Sequence, residues 1–395
     1  MLKFFSVSLL IQLVLSCQAS SANNTISIEL RDSCPPSFEL TEQGVCKLVN
    51  LYQQYDSIQN VGVGGLQSAL SKGRDGFTPN EIDLGRYLFF DPLLSKDGSV
   101  SCASCHIPEK GFSDDLAKSV GIGGQQTTRS APSLWNVGFV NKLFWDARAK
   151  SLEEQAVGPL FAKNEMGNDA ANLLKGLRAN QTYVSLFKQT FPEHTQIDLA
   201  QVIKALVAFQ SSLISLNSRY DQYAHGYHQA LNENEIAGLN IFRSFVARCA
   251  ECHQPPLFTN NQIAVIGVAE KNGDEFDPGA QITFNASKLR GGFKVPTLRN
   301  IAKTAPYMHA GNFTDLRDAV EFYNKGRGHE VPEGESLQLH WHIWEPNLTD
   351  KELDLVVEFL GALTDESLVP RTPRVVPSGL PVIDVKYQQN QQEQQ

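Results

Sequence analysis

Between Leu199 and Leu216 apolar residues recur at every third or fourth position, the spacing that lines one face of an α-helix, and the segment is predicted to be helical. Other helices announce their starts. Thr78-Pro79-Asn80-Glu81 combines an N-cap hydroxyl, a proline at the first helical position and a capping glutamate. Asn232-Glu233-Asn234-Glu235 and Thr349-Asp350-Lys351-Glu352 repeat the device, the latter opening a helix through Val356, Phe359 and Leu363. Alternation of period two is scarce, so the pattern predicts a mainly α fold with long loops.

The landmarks occur twice in the same order. Ile82, Gly85 and Leu88-Phe89 follow the first cap; Ile236, Gly238 and Ile241-Phe242 follow the second. Further on, Ala131-Pro132-Ser133-Leu134-Trp135-Asn136-Val137 is matched by Val295-Pro296-Thr297-Leu298-Arg299-Asn300-Ile301. Ser151-Leu152-Glu153-Glu154-Gln155-Ala156-Val157 is answered, one residue shorter, by Asp315-Leu316-Arg317-Asp318-Ala319-Val320. This ordered similarity predicts an internal duplication. The two tandem domains would span 77–228 and 229–365, with an N-terminal arm over 21–76. Prolines and then glutamines dominate the tail, 366–395, which is expected to be disordered.

At the centre of each copy stands a pentapeptide of the same C-x-x-C-H form, Cys102-Ala103-Ser104-Cys105-His106 and Cys249-Ala250-Glu251-Cys252-His253. The C-x-x-C-H form attaches a c-type haem: two thiols add to porphyrin vinyl groups and the adjoining imidazole reaches the iron. A structural or zinc-binding cysteine pair is the alternative, and two identical motifs behind an export signal weigh against it. Two covalently attached haems c are therefore predicted, each in its own cytochrome c-like domain.

The export signal is the apolar run from Phe4 to Leu15 within residues 1–20, too short to span a bilayer comfortably. Val14-Leu15-Ser16-Cys17 also has the form of a lipoprotein box, so Cys17 is a possible lipid anchor beside ordinary cleavage near Ala19. Both routes predict a periplasmic or exported protein. In an oxidising compartment Cys34 and Cys46, the cysteines outside the signal and haem motifs, most simply form a disulfide. The 395 residues, 42% hydrophobic, suffice for two cored domains, and a net charge of −9 gives no support to nucleic-acid binding.

With Phe144-Trp145-Asp146-Ala147-Arg148 and Thr304-Ala305-Pro306-Tyr307-Met308-His309 between the landmarks, the stretch from Phe77 to Thr364 resembles the bacterial dihaem cytochrome c peroxidase/MauG superfamily. The resemblance implies residue roles. At the second haem the position of an electron-accepting methionine holds Tyr323, the pattern of the MauG-like branch, which includes the methanobactin-associated MbnH-like proteins; Met308 is the alternative ligand. A phenolate is a hard anionic donor and lowers the potential, so this haem would hold an oxidising equivalent better than it collects electrons. At the first haem, ligated by His106, the position of a mobile distal histidine holds Ile122, which cannot bind iron. The resemblance places Gln155, Pro159 and Glu165 on the distal face: the amide to hold peroxide, the proline to narrow the pocket, the carboxylate for general acid–base work. Trp145 would relay electrons between the haems. A calcium ion is implied at the backbone carbonyls of Thr304 and Pro306, with Ser130 where the family's asparagine ligand stands.

The expected activity is that of a haem peroxidase. Hydrogen peroxide would generate a pair of ferryl haems that oxidises residues, tryptophan or another aromatic, on a partner protein. The alternatives are a peroxide scavenger fed by a small cytochrome or copper protein, and a non-catalytic dihaem electron carrier. A tryptophan exit two residues before the second motif is replaced by Ala247, so Trp341 or Trp344 is the candidate for a partner-facing surface, against plain loop packing. His340 and His342 are a weaker candidate copper site, and His225 and His228 are read as a polar helix end.

Overall fold

The computed structural model of the chain describes residues 28–54, 70, 72–271, 274–326, 334–367 and 371–382. The expected export segment and Cys17 lie outside the described residues. The fold is mainly helical: α1 (Pro79–Phe90), α2 (Leu152–Phe161), α3 (Ala170–Ala179), α4 (Gln181–Thr190), α5 (Leu199–Ser211), α6 (Arg219–Ala224), α7 (Glu233–Phe242), α8 (Cys249–Cys252), α9 (Ala280–Phe284), α10 (Leu316–Lys325) and α11 (Asp350–Gly361). Two small antiparallel sheets complete it. β1 (Phe38–Leu40) pairs with β2 (Cys46–Leu48), and β3 (Ile263–Val265) with β4 (Gly292–Lys294).

Local chemistry starts the helices where the sequence places them. The Thr78 hydroxyl accepts from the Glu81 N–H while the Glu81 carboxylate accepts from the Thr78 N–H, and the same reciprocal pair forms at Asn232/Glu235 and at Thr349/Glu352. The helix beginning at Leu199 is shorter than its apolar pattern, ending at Ser211. Its apolar continuation, Leu213, Ile214 and Leu216, is buried as non-helical chain.

Two helix pairs form the frame. α1 crosses α5 at Gly85, where a Cβ would overlap the carbonyl oxygen of Ala205 and touch the Cβ of Phe209. α7 crosses α11 at Gly238, where a Cβ would meet Leu355 O and the Cβ of Phe359 in the same way. Each crossing is sealed by phenylalanine: Phe89 and Phe90 against Phe209 in one core, Phe242 and Phe258 against Phe359 in the other.

The halves meet at Ser215. Asn136, at φ +58°, bonds the Ser215 backbone through both ends of its amide, each at 2.9 Å. Asn300, at φ +57°, donates to the Ser215 hydroxyl at 2.7 Å and accepts from Asp365 N–H at 2.9 Å. Below this seam Arg299 is fully buried, paired with Asp221 at 2.7 Å and donating to the Pro256 carbonyl at 2.8 Å.

The N-terminal arm carries a Cys34–Cys46 disulfide. It reaches further than the first helical pair: Tyr52 donates to Asp221 at 2.5 Å, and Leu48 shares a core cluster with Phe139 and Leu257. The tail is a correction to the expectation of disorder. Residues 371–382 return to the first half, with Val376 buried, Ser378 donating to Asp91 at 2.6 Å, and Pro377 O accepting from Asn180 at 3.0 Å. Prolines limit the chain's unfolded entropy, and Pro373, Val376 and Pro377 are all buried in the docked segment. Residues 383–395 lie outside the described residues.

Candidate active site

The second C-x-x-C-H motif opens onto a cavity of about 260 Å³ whose walls include Cys249, Cys252, His253, Tyr323, Trp145 and Met308. His253 Nδ1 is 3.1 Å from the Phe258 carbonyl, an acceptor; the ring therefore donates there and leaves Nε2 as the lone-pair nitrogen. Burial lowers this imidazole to about 4, so it is neutral, the form that binds a metal. Burial likewise pushes the Cys249 thiol up to about 12, and both sulfurs are unpaired. Tyr323, on α10, is raised above its ordinary value by burial first and then by the Cys252 and Cys249 sulfurs. The phenol thus stands beside both attachment points.

The first motif repeats the geometry. His106 Nδ1 is 2.9 Å from the Phe112 carbonyl, and burial keeps the ring neutral. Phe112 and Phe258 both adopt positive φ, +61° and +54°, which turns their carbonyls back onto the imidazoles. Cys102 and Cys105 are held as thiols, raised to about 12 by burial, with Glu165 adding to both shifts. The Glu165 carboxyl is itself raised by burial, against the opposing pull of the Arg148 guanidinium.

A short loop sets that carboxylate. Glu165 N–H donates to Ala162 O at 3.0 Å, Met166 N–H to Pro159 O at 3.1 Å, and Ile122 N–H to Glu165 O at 2.9 Å. Ile122 packs over Gly167, where a Cβ would collide with its side chain. Gln155 and Pro159 stand four residues apart on α2, so they project from one helical face. Between them and Trp145 runs Phe144, whose ring abuts Gly158. The Phe144-Trp145 dipeptide therefore touches the helix of the first site with one ring and the cavity of the second with the other.

Trp145 is fixed on three sides. Its Nε1–H donates to Ser130 O at 2.9 Å, its carbonyl accepts from Lys294 N–H at 2.7 Å, and its ring stands edge-on to Phe293 at 6.5 Å. Ser130 donates its hydroxyl to Met308 O at 3.0 Å and its N–H to His309 O at 2.8 Å. Thr304 and Pro306 lie on the same cavity wall.

The donor set fits haem c in both places: two protonated thiols outside any disulfide and a buried imidazole pre-set to offer Nε2, with the second motif opening into a mainly apolar cavity. Comparisons with known proteins agree. The sequence model of the family described as di-haem cytochrome c peroxidase matches residues 79–229. The methylamine utilization protein MauG of Methylorubrum extorquens is 34% identical over 298 residues, 75% of this chain and 82% of that protein. This chain belongs to the di-haem cytochrome c peroxidase family. The cytochrome c551 peroxidase of Nitrosomonas europaea is also 34% identical, over 76% of this chain and 86% of its own length. A crystal structure of a MauG-like protein associated with microbial copper homeostasis superposes with a TM-score of 0.68 at 30% identity, covering 75% of this chain and 94% of that one.

Membership in the di-haem family makes the chain a haem-dependent oxidoreductase with two haem cofactors. Other residues of interest fall around the second cavity. His340, His342 and Cys252 bring their ligating atoms within 4.8 Å of one another. The sulfur that a copper ion would need there is the one the attachment motif uses, so the histidines are better described as walls of the haem cavity. Trp341 is 66% exposed, whereas Trp344 donates to Val246 O at 3.0 Å and stacks under Arg248. His225 caps α6 and accepts the edge of Tyr52.

Sequence reasoning missed the carbonyls of Phe112 and Phe258 that orient the imidazoles. It also missed Arg129, which bridges Asp146 at 2.7 Å and Asp277 at 2.6 Å beneath Trp145. The only signal for the first was a phenylalanine at a similar distance after each motif; for the second there was none, since the three charges are far apart in the chain.

Proposed function

We propose that this protein uses hydrogen peroxide to oxidise residues on a partner protein. The observation that carries the reading is an asymmetry. Tyr323 stands beside Cys249 and Cys252 at the second site, while at the first Ile122, a side chain that cannot bind iron, donates its N–H to Glu165 O and packs over Gly167. The haems, when bound, supply the iron that reduces peroxide and stores the oxidising equivalents.

The chain's own groups do the rest. Glu165 takes a proton from peroxide and returns it to the leaving oxygen; its raised carboxyl suits both directions of transfer. Gln155 holds the oxidant through its amide, and Pro159 keeps the pocket narrow. Tyr323 is the side chain that would hold the second iron through its phenol oxygen. Trp145, held rigidly by Ser130, Lys294 and Phe293, carries electrons between the sites. Exposed Phe245, Val246 and Trp341, beside the second motif, suit a partner surface.

The reading includes the duplication, two haem domains over 77–228 and 229–365, and a calcium ion at the Thr304 and Pro306 carbonyls, with Ser130 as the third ligand. Export to the periplasm, with Cys17 as a possible lipid anchor, is part of the same proposal. Met308 on the second cavity wall favours the other reading, peroxide removal with electrons from a small cytochrome. Stoichiometric peroxide is added to the diferric protein, followed by mass spectrometry of proteins that purify with it. Oxidised aromatic side chains on such a partner are expected. Rapid turnover with a reduced small cytochrome, and no modified partner, would overturn the proposal.

A further inference from the structure

The ammonium of Lys294 has no part in the steps above, yet the residue is bonded through its backbone to Trp145 and borders the second site's cavity. It ends β4 opposite Ile263, its backbone N–H donates to the Trp145 carbonyl at 2.7 Å, and the residue lines the cavity with Cys249, Cys252, His253 and Tyr323. Among the described residues its ammonium has neither a carboxylate nor a hydrogen-bond acceptor, and burial alone pulls it down to about 8. The neighbouring acids are engaged elsewhere. Asp146 and Asp277 hold Arg129, and Glu270 faces His309 at 2.8 Å.

A half-buried cation without a counter-ion costs free energy, and the cost is removed when the cavity's ligand brings the anion. A haem carries two propionate carboxylates. We propose that Lys294 is the counter-ion of a propionate of the second haem, a positioning residue that sets that haem's potential next to Trp145. The inference needs only the two-haem cofactor set, not oxidation of a partner protein.

Spectroelectrochemical titration of the holoprotein reads both haem potentials in wild type, Lys294→Gln and Lys294→Arg, with low-frequency resonance Raman bands of propionate bending recorded alongside. Both variants keep Cys249 and Cys252, so the cofactor stays attached and the measurement remains possible. Removing a nearby positive charge favours the more positive ferric state. K294Q is expected to shift the second haem's ferric/ferrous ratio by about tenfold, about 59 mV for one electron. It should also move the propionate bands and leave the first haem's potential in place, and K294R should restore both. Unchanged potential and bands in K294Q, an equal fall at both haems, or K294R behaving like K294Q would each overturn the assignment.

Discussion

At the scale of single residues, the chemistry depends on which protonation state burial favours. The Glu165 carboxyl is raised by burial, with Arg148 opposing, so its basic form appears only as pH rises through that raised value. The rate of reaction with peroxide is expected to climb over the same range. Glu165→Gln should lower it by about 10²–10⁴-fold and remove that rise, with haem spectra unchanged. Stopped-flow mixing across pH checks both; a variant keeping the wild-type profile would exclude this carboxylate as the base. At the other site, Tyr323→Met exchanges a hard oxygen donor for a soft thioether, which raises a haem's potential. Spectroelectrochemistry should show the second haem's potential moving up and the first unmoved. The attachment residues were legible because five adjacent residues spell out the motif. Lys294 and the two orienting carbonyls were not, because a lysine's counter-ion and a backbone carbonyl's direction are set by distant chain.

At the scale of elements, two glycines decide how the frame closes. Gly85 and Gly238 let α1 and α7 approach the backbones of α5 and α11, and a methyl group at either would meet a carbonyl oxygen that cannot move independently. Gly85→Ala and Gly238→Ala should each cost about 1–3 kcal/mol in urea unfolding of the holoprotein. Gly361→Ala, which meets nothing within 4 Å at the end of α11, should not destabilise. Equal effects at all three positions would contradict the close-approach argument. The capped helices were readable because their start signals are local, and the recurrence of Ile, Gly and Leu/Ile-Phe marked both crossings. The three-residue strands carry too few residues for a period, and the apolar run past Ser211 looked helical because buried irregular chain has no polar face to interrupt the pattern.

At the scale of the molecule, one buried ion pair joins the arm to both halves. Burial alone would raise the Asp221 carboxyl, but Arg299, with hydrogen bonds from Tyr52 and Ser218, outweighs it and holds it below the usual carboxylate range. Its stabilisation is therefore present above the unfolded carboxylate's value and lost as pH falls through the lower folded one. Asp221→Asn leaves Arg299 charged and unpaired in the core, and denaturation should record a loss of about 3–5 kcal/mol. That pair was invisible in the sequence, where Asp221 and Arg299 are 78 residues apart. In the proposed arrangement the first haem would keep an open face and Tyr323 would hold the second through its oxygen. Electron paramagnetic resonance of the diferric protein, wild type beside Tyr323→Phe, tests it most directly. The account expects one high-spin and one low-spin haem in wild type, with the low-spin signal lost in the variant; two low-spin haems, or a low-spin signal that survives the substitution, would contradict it.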